Sequence, residues 1–241
     1  MLVEVCANSL QSAINAQKAG ADRIELCSEL AVGGITPSYG LLQQIKEQVS
    51  IPVHVLVRPR SGDFTYSDMD FNIMKADVAH CISLGFDGVV SGVLHSNFTL
   101  DVDRTAQLIK IAKGRHFTFH RAFDWVKNPS ETLKTLAKMG IDTVLTSGQQ
   151  KSALEGMALL AHLRDQEASC TIMPGGGIGP KNVMQFKEKG FAEVHLSGTR
   201  KRRSLDGRPQ VPMCASRLPN DDEIVVTDVE TVRLVVEQFK G

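Results

Sequence analysis

Short runs in which apolar and polar residues alternate punctuate the chain. Val3 and Val5 alternate with Glu4 and Cys6, Ile24 and Leu26 with Glu25 and Cys27, and Val53, Val55 and Val57 with His54, Leu56 and Arg58. A period of two marks half-buried strands. Between these runs apolar residues fall three or four apart. Phe71, Met74, Val78 and Cys81 share one helical face, as do Leu133, Leu136 and Ala137, and Val229, Val232, Val236 and Phe239. Asn128-Pro129 with Glu131 supplies a cap, a proline at the first helical position and an acid in the first turn. Thr227 with Glu230 reads as a capping box.

A phrase of Gly, any residue, Asp or Ala, any residue, then Ile or Val occurs at residues 20–24, 85–89, 140–144 and 190–194, with separations of 65, 55 and 50. Glycine after a helical pattern supplies the left-handed position that ends a helix, and the apolar residue that follows opens a strand. Further apolar segments at 3–6, 53–57, 117–120 and 170–173 bring the strands to eight, with starts 21 to 34 residues apart. That is the length of a strand plus a crossover helix. Eight alternating units in 241 residues predict an α/β fold, a single-domain (β/α)8 TIM barrel spanning 1–241, over an open doubly wound sheet. A long irregular loop at about 198–226 follows strand eight and is expected to hang over the C-terminal face as a lid.

In a barrel the apolar phase packs beneath the helices and the other phase turns inward. Glu4, Cys6, Glu25, Cys27, His54, Arg58, His120 and His195 are therefore expected inside, where ordinary barrels carry Val, Ile and Leu. The positions seven residues after each repeat glycine, Cys27, Gly92, Ser147 and Ser197, fall at the inward C-terminal end and are all small, leaving room for a ligand. Buried charges must pair, bind a ligand or meet water. A purely structural account pairs Glu4 or Glu25 with Arg58.

Two chemistries fit this interior. Cys6 and Cys27 end adjacent strands, expected about 4.8 Å apart at the same height, and paired thiolates suit a soft ion such as Cu(I). A free cysteine also serves as a small buried hydrophobe. His54, His120 and His195 with Glu25 offer instead a harder set of the kind Zn²⁺ takes, or general acids and bases. The glycine-rich run Pro174-Gly175-Gly176-Gly177-Ile178-Gly179-Pro180 follows strand seven and Ser197-Gly198-Thr199 follows strand eight. Barrels commonly bind phosphate at these two places. An enzyme reading gives Glu25, His120 and Arg58 catalytic roles on a small phosphorylated or carboxylated metabolite, as an isomerase, lyase or hydrolase. Arg60, Gly175, Gly176, Gly177, Ser197 and Gly198 would then hold the anion.

Composition narrows the field further. Lys plus Arg equals Asp plus Glu at 27 each, so no whole-chain field favours nucleic acid, and the cluster Lys201-Arg202-Arg203 reads as a solvated loop. No apolar run is long enough for a membrane span, and Leu2-Val3-Glu4-Val5 lacks the marks of a secretion signal. Five cysteines without a C-x-x-C suggest reduced thiols and a cytoplasmic protein. A monomer and a homo-oligomer both stay open, and no G-x-S-x-G, Walker A or G-x-G-x-x-G is present.

Several stretches are more specific. Ala19-Gly20-Ala21-Asp22-Arg23-Ile24-Glu25-Leu26-Cys27-Ser28 precedes Gly33-Gly34-Ile35-Thr36-Pro37-Ser38, and Arg58-Pro59-Arg60-Ser61-Gly62-Asp63-Phe64 precedes Tyr66. His120-Arg121-Ala122-Phe123-Asp124 and Met173-Pro174-Gly175-Gly176-Gly177-Ile178 follow in order. Through these motifs nearly the whole chain resembles the copper homeostasis protein CutC family, with Ser61 where the family often has a second glycine. The resemblance implies a cytoplasmic (β/α)8 barrel linked to copper homeostasis, with Cys6 and Cys27 as its copper ligands. The ligand is thus expected to be a copper ion or a small anionic metabolite.

Overall fold

The computed structural model describes residues 1–166, 169–207, 209–211, 213 and 221–241. Eight parallel strands build the barrel: β1 (Leu2–Ala7), β2 (Arg23–Leu26), β3 (Val53–Leu56), β4 (Gly88–Ser91), β5 (His116–Phe119), β6 (Thr143–Thr146), β7 (Thr171–Pro174) and β8 (Glu193–Leu196). Their order runs β7-β6-β5-β4-β3-β2-β1-β8, and a single parallel bridge between Gly175 and His195 closes the ring. The (β/α)8 fold read from the repeats is the observed one.

Each repeat glycine acts where its spacing placed it. Gly20, Gly85, Gly140 and Gly190 all take positive φ at a helix-to-strand turn, a conformation that costs glycine nothing. Outside the strands lie α1 (Leu10–Lys18), α2 (Tyr39–Gln48), α3 (Asp68–Ser83), α4 (Val102–Ala112), α5 (Pro129–Lys138), α6 (Met157–Gln166), α7 (Val183–Glu188) and α8 (Val229–Lys240). Phe71, Met74, Val78 and Cys81 are the buried face of α3. Pro129 opens α5, as its fixed φ favours, although Asn128 makes no side-chain capping bond. The box expected at Thr227 is displaced by one residue: Asp228 caps α8 by accepting from the Thr231 N–H, because Thr227 is spent pairing with Thr199.

That pairing also revises the segment after β8. Its ends are not irregular but form an antiparallel hairpin, β9 (Thr199–Arg203) with β10 (Glu223–Thr227). Residues 208, 212 and 214–220 of the expected lid, with Cys214, lie outside the described residues. The basic run sits on β9, where Lys201 pairs with Glu223 at 2.8 Å and Arg203 with Asp222 at 2.8 Å. Among the described residues no helix is long and apolar enough to cross a membrane.

The period-two phasing sorts the apolar side chains into two layers. Val3, Val5, Ile24, Leu26, Val53 and Val55 belong to the large core between strands and helices. Cys6, Cys27, Leu56 and Val90 form a separate cluster within the barrel. Inner positions that are not apolar are therefore the ones left for chemistry.

Candidate functional site

Parallel register stacks the inward polar residues in rows. Glu4 lies level with Arg23 on one side and His195 on the other. One step toward the C-terminal face, Cys6 lies level with Glu25, and Glu25 with His54. Gly88 continues that row between His54 and His116, and having no side chain it lets the two rings stack at 4.5 Å.

The lower row is a buried charge network. Glu4 is fully buried and accepts from Arg23 Nε and, at 2.8 Å, pairs with His195 Nδ1. Arg23 reaches on to Glu193 at 2.9 Å. Burial alone raises the Glu4 pKa, but the His195 hydrogen bond and the Arg23 charge outweigh it and hold the carboxylate ionised far below its usual range. For His195 burial lowers the pKa, while Glu25 and Glu4 together raise it above the ordinary value. The structural ion pair foreseen for Arg58 is thus made by Arg23. This residue shares the inward phase of Glu25 and Cys27, but at a strand's first position it reads as a solvated turn charge.

Above that row a cavity of about 230 Å³ opens among the C-terminal strand ends, lined by Cys6, Glu25, Arg58, His120, Arg121 and His195 together with Gly176, Gly177, Ile178 and Ser197. Cys6 Sγ lies 3.3 Å from Glu25 Oε1 and 3.5 Å from Cys27 Sγ. The two cysteines do not stand at the same height, since Cys6 is level with Glu25 and Cys27 lies two residues beyond, yet the sulfurs meet. The Cys27 contact, burial and the nearby Glu25 all push the Cys6 thiol well up, so it is protonated at neutral pH. Glu25 is also raised, chiefly by burial, and its Oε2 has no partner.

Cys6, Glu25 and His195 place one donor atom each within 4.8 Å of one another, the cluster among the described residues with metal-binding geometry. The foreseen set of three histidines with Glu25 does not converge. His54 is engaged with His116 and, at 3.9 Å, Glu4, while His120 packs on Phe64 with ring centroids 4.9 Å apart. Burial and the Arg58 charge push the His120 pKa down to about 3, leaving the ring neutral. Its Nδ1 accepts from the Ala122 N–H at 3.2 Å, so the proton sits on Nε2, which has no partner.

Arg58 lines the cavity, but its guanidinium donates to the carbonyls of Val32, Gly34 and Gly62 and lies over the Phe64 ring. Arg60 does not line this cavity; Asp63, Asp70 and the Thr65 carbonyl hold it outside. Gly175 and Gly198 also fall outside the lining, whereas Gly176, Gly177 and Ser197 are within it. One cavity residue whose role the motifs did not disclose is Arg121. Asp124, fixed by Thr146, Ser147 and Gln149, receives Arg121 Nε at 2.7 Å, and Ser147 Oγ accepts from Nη2 at 2.8 Å. The Arg-x-x-Asp spacing within residues 121–124 was the available signal, an i to i+3 pair.

Known proteins are similar to this chain over most of its length. The human protein named copper homeostasis protein cutC homolog is 44% identical over 236 residues, 96% of this chain and 86% of its own length. A CutC protein of Photorhabdus laumondii is 46% identical over 198 residues, 82% of this chain and 80% of its own. The crystal structure of the putative copper homeostasis protein CutC from Streptococcus agalactiae superposes with a TM-score of 0.77 at 32% identity, covering 82% of this chain and 98% of that one. A 3-hexulose-6-phosphate synthase from Salmonella typhimurium, at 15% identity and a TM-score of 0.58, shares the fold alone. The model of the CutC family matches residues 1–200, which contain all eight barrel strands and every cavity residue named above, and with these relatives it establishes that the chain belongs to the CutC family.

Proposed function

We propose that the protein serves copper homeostasis by holding Cu(I) between Cys6 and Cys27 at the floor of the cavity. The carrying observation is the 3.5 Å approach of the two sulfurs. Soft thiolates suit Cu(I), and the partnerless Glu25 Oε2 beside them marks a polar site with unspent capacity. On the cavity side Glu25 and His195 bring further donor atoms within 4.8 Å of Cys6 Sγ. Cys6, Cys27 and Cys81 are buried free thiols, which supports action in a reducing compartment, the cytoplasm.

Binding must expel the Cys6 proton, because ligation requires the thiolate. Anaerobic titration of the protein with Cu(I) against a competing chelator should therefore show affinity rising with pH through neutrality, by about tenfold per pH unit for each thiol proton released. Cys6→Ser with Cys27→Ser should abolish competition with the chelator. Undiminished Cu(I) binding in that double variant, with its fold verified by circular dichroism, would refute the site.

A further inference from the structure

A second set of unspent groups lines the cavity beyond the ends of β5, β7 and β8, and every member is a donor. Among the described residues the backbone N–H groups of Gly177, Ile178 and Ser197 donate to no carbonyl, although all three residues line the cavity; the Gly176 N–H is directed at the His195 carbonyl in the bridge that closes the ring. The carbonyls of Gly176 and Gly177 are occupied, by the Ala153 N–H and by Asn182 Nδ2. Ile178 is buried, where an unpaired N–H costs about as much as a lost hydrogen bond, while Gly177 and Ser197 present theirs at the open mouth.

Two side chains join them. Arg121 spends Nε on Asp124 and Nη2 on Ser147, and its Nη1 comes so near the turn that a Cβ at Gly176 would sit 3.4 Å from it. Glycine at 176 therefore leaves the guanidinium and the turn amides facing a common space. His120, only 5% exposed, lines the same cavity and keeps its Nε2–H unpaired. The nearby acid, Asp124, already accepts from Thr146, Ser147, Gln149 and Arg121, so it fixes Arg121 and does not fill the space.

Donors with no acceptor among them call for an anion, and donors arriving from two turns and two side chains suit a tetrahedral group with several oxygens better than a planar carboxylate. We infer that the amides of Gly177, Ile178 and Ser197, with Arg121 and His120, bind the phosphoryl group of a small phosphorylated metabolite. The rest of the ligand would extend into the 230 Å³ cavity toward Cys6 and Glu25. This site uses neither thiol, so it stands independently of the Cu(I) proposal.

Amide chemical-shift mapping on the metal-free, reduced protein tests it, with glycerol 3-phosphate, glycerate and glycerol as probes. Glycerol 3-phosphate should bind saturably at millimolar concentration, with its largest shifts at Gly177, Ile178 and Ser197. Glycerate should bind about tenfold more weakly and glycerol not at all. Arg121→Gln, which keeps the size and loses the charge, should weaken glycerol 3-phosphate binding by about tenfold or more. Absence of saturable binding, shifts centred elsewhere, equal or tighter binding of glycerate, or full affinity in Arg121→Gln would each overturn the assignment. The mapping needs no variant, so a misfolded mutant would not shelter the proposal.

Discussion

His54 carries the clearest consequence at the scale of one residue. Burial, reinforced by the charges of Arg23 and His116, pushes its pKa down to about 3 despite the nearby Glu4 carboxylate. The unfolded chain takes up that proton near pH 6.5 and the folded chain does not, so His54 disfavours the native state increasingly as pH falls below 6.5. His195 acts with the opposite sign: its raised pKa contributes stability below the ordinary histidine value that is lost as pH rises through the folded one. Urea denaturation of wild type and His54→Gln at about pH 7.5 and 5.5 isolates the first effect. The wild type should lose about tenfold more in its folding constant over that interval than the variant. Equal losses would mean that His54 is protonated in the native state. Alternation was enough to turn His54, Glu4 and Glu25 inward, but it says nothing of partners. Arg23 takes the Glu4 pairing expected of Arg58, because Arg23 stands level with Glu4 in the register while the Arg58 guanidinium is held by loop carbonyls.

At the scale of elements, a glycine inside β4 has a mechanical task that the helix-terminating glycines lack. A Cβ at Gly88 would meet the His54 ring at 2.6 Å and the His116 carbonyl oxygen at 2.8 Å, so the strand accepts no side chain without displacing a packed ring or the neighbouring backbone. Gly40, near the start of α2, has nothing within 4 Å of such an atom. Gly88→Ala should destabilise by about 1–3 kcal/mol through overpacking, whereas Gly40→Ala should stabilise by about 0.4–1 kcal/mol by restricting the unfolded chain. Chemical denaturation of both variants decides it, and a Gly88→Ala protein as stable as wild type would show that the row can part without cost. Element existence was legible from the repeated glycine phrase, since the same turn chemistry recurs at each helix end. The β9–β10 hairpin was not: its basic strand, Thr199–Arg203, is exposed at four of its five residues and lacks an apolar phase, and its partner lies twenty residues away.

The whole molecule divides its inward charges by depth. Near the N-terminal side Glu4, Arg23, Glu193 and His195 Nδ1 satisfy one another, whereas toward the C-terminal mouth Glu25 Oε2, Arg58 Nε and His120 Nε2 are left without partners. Barrels generally separate stability from chemistry along this axis, and the division gives a reason why a neutral chain concentrates charge in its interior. Removing one member of the lower network should therefore damage the fold without touching the sulfur pair. Arg23→Met leaves Glu4 with less compensation, a loss of about 3–5 kcal/mol for a broken buried pair, which for a chain of this length lowers Tm by roughly 6–20 °C. Below its transition the variant should keep its Cu(I) affinity within about threefold, because neither sulfur touches Arg23 or Glu4. Cys6→Ser should do the reverse, losing Cu(I) while shifting Tm far less than Arg23→Met. Thermal melts and anaerobic chelator competition on the two variants separate the cases. A normal melt with lost copper affinity in Arg23→Met would mean that the lower network orders the mouth through Glu4 and His195, and that depth does not partition the two tasks.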